Sequence, residues 1–111
     1  MIISILRQGS RNSYFSDWKN GIEQKVVMWH YTAWPNNGVP DDFLTIFEVI
    51  HRLKKMNTTC TVIHCNSGVG PTGTLIAIAR LIDQIHSNAK KLNVFQTVFE
   101  LRKRRKFMVC N

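Results

Sequence analysis

Apolar and polar residues alternate near the start of the chain, with Ile3 and Ile5 opposed to Ser4, and this period of two predicts a short β-strand. Residues 9–21, rich in Ser, Asn and Asp between two glycines, predict a loop. A second β-rich run follows at 24–32, with Val27, Trp29 and Tyr31 on one face, and is expected to pair antiparallel with the first. Trp34-Pro35-Asn36-Asn37-Gly38-Val39-Pro40 then breaks the pattern with two prolines and a glycine and predicts a defined loop. Phe43, Ile46, Phe47, Ile50 and Leu53 recur at helical spacing, so a helix over 41–55 is expected to pack on a sheet, with Asp41 and Asp42 in its first turn. Residues 59–64, β-branched and apolar, read as a buried strand. Leu75, Ile76, Ile78, Ala79 and Ile82 form the stripe of a helix over 72–86. Asn93 can cap a last helix to about 105 whose Val94, Thr97, Val98 and Leu101 suit one buried face. The pattern describes an α/β fold: a mixed β-sheet fragment packed by about three α-helices, with a cysteine loop between a strand and a helix.

That loop, His64-Cys65-Asn66-Ser67-Gly68-Val69-Gly70-Pro71-Thr72-Gly73-Thr74, is where chemistry is expected. A glycine-rich turn before a helix is often only a connection, and the spacing from Gly68 to Gly73 lacks the lysine of a nucleotide-binding loop. The same turn also binds anions, because backbone N–H groups without intrahelical partners converge there and the helix dipole adds about half a positive charge. A cysteine at the strand end feels that field, which favours its thiolate. Pro71 suits the first helical position, where a fixed φ and a missing N–H are tolerated.

Composition adds constraint. At 111 residues the chain is one domain at most, and its 44% hydrophobic content supports a core. The formal charge of +8 draws phosphate-rich partners without naming one. Part of it is the run 102–106, which reads as the solvated end of a helix; a basic nucleic-acid-binding protein is the alternative, although no aromatic interleaving or nucleic-acid motif supports it. No run approaches the roughly 18 apolar residues of a membrane span. With three cysteines, an odd number, and no secretory signal, a cytoplasmic or otherwise intracellular setting is expected. Cys60, His64 and Cys65 lack a second Cys/His pair, so no metal and no cofactor are expected, and His51 reads as a surface or packing residue.

The residues His64, Cys65, Gly68, Val69, Gly70, Thr72, Gly73 and Thr74 resemble the phosphate loop of the cysteine-dependent protein tyrosine phosphatases, whose pattern is His-Cys, five residues, Arg, then Ser or Thr. The resemblance runs from about Val26 to Val109. It includes His30-Tyr31-Thr32 and Trp34-Pro35-Asn36, similar to the family's Trp-Pro-Asp loop, and Val94-Phe95-Gln96-Thr97-Val98 with the basic stretch after it. It implies Cys65 as the nucleophile, tuned by His64, with the Thr72 hydroxyl stabilising its thiolate. It also implies Asn66, Ser67, Gly68, Val69 and Gly70 as the phosphate cradle, with Trp34 at the substrate. The family domain is well over twice as long, so residues 1–111 are expected to be a single truncated domain with its phosphatase-like core at about 26–109.

The sequence departs from the family where the reaction is most demanding. Pro71 stands at the phosphate-binding arginine, Asn36 at the general-acid aspartate, and Cys110 at the water-positioning glutamine. The resemblance therefore implies a catalytically silent relative, a pseudophosphatase, which binds a phosphotyrosine-containing protein weakly or occupies a partner of active phosphatases. A working phosphatase, passing through a Cys65 phosphocysteine, would need another acid and another cation.

Overall fold

The computed structural model describes residues 1–6, 14–16, 23–35, 37–56 and 60–110. In chain order the elements are β1 (Ile2–Leu6), β2 (Tyr14–Ser16), β3 (Glu23–His30), α1 (Phe43–Lys55), β4 (Cys60–His64), α2 (Pro71–His86) and α3 (Val94–Arg104). The expected α/β architecture is present. β2 falls inside the segment read as a loop; Ser and Asn flank a β-prone Tyr14-Phe15, and pairing with β3 overrides them.

The sheet order is β2-β3-β1-β4, and each neighbouring pair is antiparallel. β1 is central, as expected for its pairing with β3: Ile3 lies between Trp29 and Ile63, and Ser4 between Met28 and Val62. Because the pleat has a period of two, Val27, Trp29 and Ile63 share the helix-covered face, where they pack on a core of Ile46, Ile50 and Leu75. Met28 and Val62 take the other face and are 63% and 54% exposed. The buried strand expected at 59–64 is thus corrected: β4 is an edge strand covered on one side, with only Ile63 partly buried among its residues.

α1 begins at Asp42, whose carboxylate accepts from the N–H groups of Leu44 at 3.1 Å and Thr45 at 3.3 Å and from the Thr45 hydroxyl. These bonds hold its carboxyl below the ordinary value, the Thr45 hydroxyl acting most strongly. Ile46 and Ile50 are buried and Leu53 packs beside them, but Phe43 and Phe47 are exposed. Phe47 lies about 100° round the helix from Ile46 and so points off the covered face.

α2 is the shared wall of two cores. Leu75, Ile78, Ala79 and Ile82 face α1 and the sheet, while Ala77 and Ile76 meet Leu101 and Met108. α3 is capped as expected, with the Asn93 side chain accepting from the Gln96 N–H at 2.9 Å. Thr97 and Leu101 are buried, whereas Val94, expected on the same face, is 58% exposed. Gln84 reaches from α2 to donate to Thr97 Oγ1 at 2.9 Å, so this buried hydroxyl is satisfied across the helix pair.

After α3 the chain doubles back onto the start of α2. Phe107 and Val109 take positive φ values of 63° and 62°, a conformation that costs bulky residues about 1–3 kcal/mol and requires firm support. Three contacts supply that support: Met108 is buried, Arg102 Nε donates to Met108 O at 2.9 Å, and Val109 N donates to Val69 O at 2.8 Å. The approach is close enough to demand Gly73, where a Cβ would lie 2.4 Å from Val109 N. A Gly73→Ala variant is therefore expected to lose about 1–3 kcal/mol of stability, read as a lower urea midpoint by circular dichroism; an unchanged midpoint would mean the tail does not pack on α2.

Candidate functional site

β4 ends at His64 and α2 begins at Pro71, so residues 65–70 have to turn the chain from strand to helix. Gly70 is the N-cap and has no side chain with which to cap; its carbonyl accepts from Thr74 N at 2.9 Å and Thr74 Oγ1 at 3.1 Å. Gly68 takes φ +73°, which any other residue would adopt only with strain, and a Cβ there would sit 2.9 Å from an Arg105 nitrogen. Pro71 occupies the first turn of the helix, as its fixed φ predicts.

The loop closes around Cys65. Gly68 N donates to Cys65 Sγ at 3.2 Å, and Ser67 Oγ lies 4.0 Å from the same sulfur while accepting from Val69 N at 3.4 Å. Thr72 is 4% exposed. Burial pushes the Cys65 thiol up, but the Thr72 hydroxyl and N–H, the Gly68 N–H and the Ser67 hydroxyl together outweigh it and bring the thiol from 9.0 down to about 7. Among the described residues the Thr72 hydroxyl nevertheless has no hydrogen-bond partner at ordinary distance and angle. An ionised sulfur accepts more strongly than a thiol, so this contact is best understood as one that tightens when Cys65 is charged.

The rear of the loop is held by the tail. Arg105 Nη2 donates to Ser67 O at 3.3 Å, and Val109 N donates to Val69 O at 2.8 Å. A trans peptide points its N–H opposite to its C=O, so anchoring these carbonyls outward turns the Gly68 and Gly70 N–H groups toward the concave side. Sequence reasoning missed Arg105, which sat in a basic run read as solvated; its contact spans 38 positions and leaves no local periodicity.

Among the other expected site residues, Asn66 is exposed in the loop. His64 is exposed, and its ring makes no hydrogen bond to Cys65 among the described residues. Trp34 packs against the first core, meets Tyr31 edge-on with ring centroids 6.3 Å apart, and closes its own loop by donating from Nε1 to Gly38 O at 3.2 Å. Asn36, inside that loop, lies outside the described residues. Cys110 is exposed beside Arg102, Lys106 and Phe107. Among the described residues no group of His, Cys, Asp and Glu is arranged to hold a metal ion, and no helix is long and apolar enough to cross a membrane.

A cysteine whose sulfur accepts from the Gly68 N–H is set in a glycine-containing loop between a strand and a helix N-terminus on an α/β scaffold. The chain belongs to the protein-tyrosine phosphatase family, whose family model, described as Protein-tyrosine phosphatase, matches residues 9–111. It is 38% identical over 104 residues to receptor-type tyrosine-protein phosphatase eta of Mus musculus, an alignment covering 89% of this chain and 8% of that protein. It is 39% identical over 87 residues to receptor-type tyrosine-protein phosphatase epsilon of Rattus norvegicus, covering 76% of this chain and 12% of the relative. The eta protein of Homo sapiens is 44% identical over 85 residues, 72% of this chain and 6% of its own length. The chain thus spans a small fraction of the curated relatives it matches.

The thiol geometry sets a pH dependence. Below pH 7 Cys65 is mostly protonated and unreactive; above it the thiolate dominates, so alkylation of Cys65 by iodoacetamide, followed by mass spectrometry, is expected to rise with a midpoint near pH 7. Thr72→Val keeps the shape and removes the hydroxyl, and the midpoint is expected to move up toward 9.0. An unmoved midpoint would remove Thr72 from the account.

Proposed function

We propose that the chain is a catalytically silent member of the protein-tyrosine phosphatase family, a pseudophosphatase that keeps a thiolate-bearing anion loop and binds phosphotyrosine proteins weakly. The observation that carries the reading is Pro71 in the first turn of α2. Hydrolysis through a cysteinyl-phosphate needs a nucleophile, donors for the phosphoryl oxygens, a proton for the leaving group and a placed water. Cys65 suits the first role. At 71 an arginine would offer a planar fork to two phosphoryl oxygens, whereas proline has neither a side-chain donor nor a backbone N–H. One lost transition-state donor costs about 3–4 kcal/mol, and a charged bidentate one costs more. Asn36 cannot deliver a proton, which removes a further factor of about 10²–10⁴. Cys110, at the family's glutamine position, cannot orient a water as an amide does. Independent losses of this size multiply beyond about 10⁴-fold.

One observation favours a second reading, an active phosphatase: a guanidinium, that of Arg105, lies against the loop. It donates to Ser67 O, however, at the opposite end of the peptide from the N–H that faces the sulfur. From there it supports the loop without replacing the fork lost at 71.

Release of p-nitrophenol from its phosphate ester tests both. The unaltered chain is expected to be silent, and Pro71→Arg with Asn36→Asp is expected to gain turnover that disappears on adding Cys65→Ser. Turnover by the unaltered chain that depends on Cys65 would overturn the silent reading. For the binding half of the proposal, a phosphotyrosine peptide is expected to raise the unfolding temperature only slightly, and less than it does for the Pro71→Arg variant.

A further inference from the structure

The Ser67–Gly68 peptide is bonded at both ends. Its carbonyl accepts from Arg105 Nη2 at 3.3 Å, and its N–H donates to Cys65 Sγ at 3.2 Å. A peptide is a polarisable dipole, and hydrogen bonds in series strengthen one another. A cation on the oxygen draws electron density from the nitrogen, makes the N–H a better donor, and favours negative charge on the atom that accepts it. We infer that Arg105 is a positioning residue for Cys65, acting through the Ser67–Gly68 peptide to orient the Gly68 N–H and strengthen its bond to the sulfur.

Other charges near the loop do not take this role. The first turns of α2, which pack on the loop, carry no ionisable side chain before Arg80. His64, at the end of β4, is exposed with its ring unbonded to the sulfur among the described residues. Arg102, one turn back on α3, is engaged by Met108 O at 2.9 Å. Arg105 also contacts Gly68, where it fills the space a Cβ would occupy, so the glycine that permits the left-handed turn admits the guanidinium as well. Lysine cannot copy this planar fork, although it can place a charge on the same carbonyl.

The inference deepens the proposed function and rests on Cys65 being the thiolate of the loop, but not on turnover. It is therefore tested by alkylation: the rate of carboxamidomethylation at Cys65, resolved from Cys60 and Cys110 by peptide mass spectrometry, is followed from pH 5 to 10 in the full chain. Arg105→Ala is expected to raise the midpoint by about half a unit to one unit, slowing reaction at low pH about threefold to tenfold while leaving the high-pH plateau unchanged. Arg105→Lys is expected to restore most of that loss. Arg105→Gln keeps a donor and most of the stem without the charge, and serves if the alanine variant loses its cooperative unfolding; its midpoint is expected to rise as well. A midpoint unchanged in Arg105→Ala and Arg105→Gln would overturn the inference, as would a fall in the plateau with no shift in midpoint, which is the mark of a residue that only props the loop. Phosphatase assays on the same samples separate this outcome from the proposed function, since p-nitrophenyl phosphate turnover would refute catalytic silence and leave the midpoints standing.

Discussion

The loop from Cys65 to Gly70 depends on which way its peptide units face. Left to itself, a glycine-containing turn samples many orientations, and an amide that has rotated away offers an anion its carbonyl oxygen instead of a donor. Here the Ser67 and Val69 carbonyls are held from behind by Arg105 and by the Val109 N–H, and that constraint turns the intervening N–H groups inward. Almost every feature of the last residues serves the arrangement. Gly73 lets the backbone come close, Met108 buries itself against Ala77 and Leu101, and Phe107 and Val109 accept left-handed conformations that these contacts sustain.

The scaffold around the loop is simpler. The sheet supplies the strand that ends at Cys65, α2 supplies the helix N-terminus, and α1 and α3 close the two sides of α2. Pro71 fits this scaffold, and on the proposed reading it removes the donor that hydrolysis would need at that position. On that reading structure and catalysis make opposite demands on a single residue, and the structural demand prevails: the helix starts cleanly, without the fork.

What could be read from the sequence follows from how local each signal is. Asn93 is a cap, Pro71 is a first-turn proline, and Ile46, Ile50 and Leu53 repeat at the helical period, so α1, α2 and α3 were legible from neighbours only a few residues apart, although Asp42, expected in the first turn of α1, is its cap instead. The antiparallel pairing of β1 and β3 followed from two β-rich runs around a polar segment. β2 was missed because a strand of this length has no period of its own and exists only through its partner. β4 was read as buried because Val62 and Ile63 are equally apolar, yet their opposite orientations leave one covered and the other open. The site divides in the same way. Cys65 and its glycines were conspicuous, while Arg105 looked like one more charge in a basic run, since nothing near it in sequence hints at Ser67.

The tail contact also orders the events of folding. α2 and its flanking loop can take their helical and turn conformations early, from local interactions, but the bonds from Arg105 to Ser67 and from Val109 to Val69 close large loops and carry the entropy of doing so. On a ribosome the cysteine loop would emerge with its amides unfixed and would acquire its anion-facing form only after α3 and the residues beyond it had left the tunnel. Maturation of the site in this sense follows formation of the local elements that carry it.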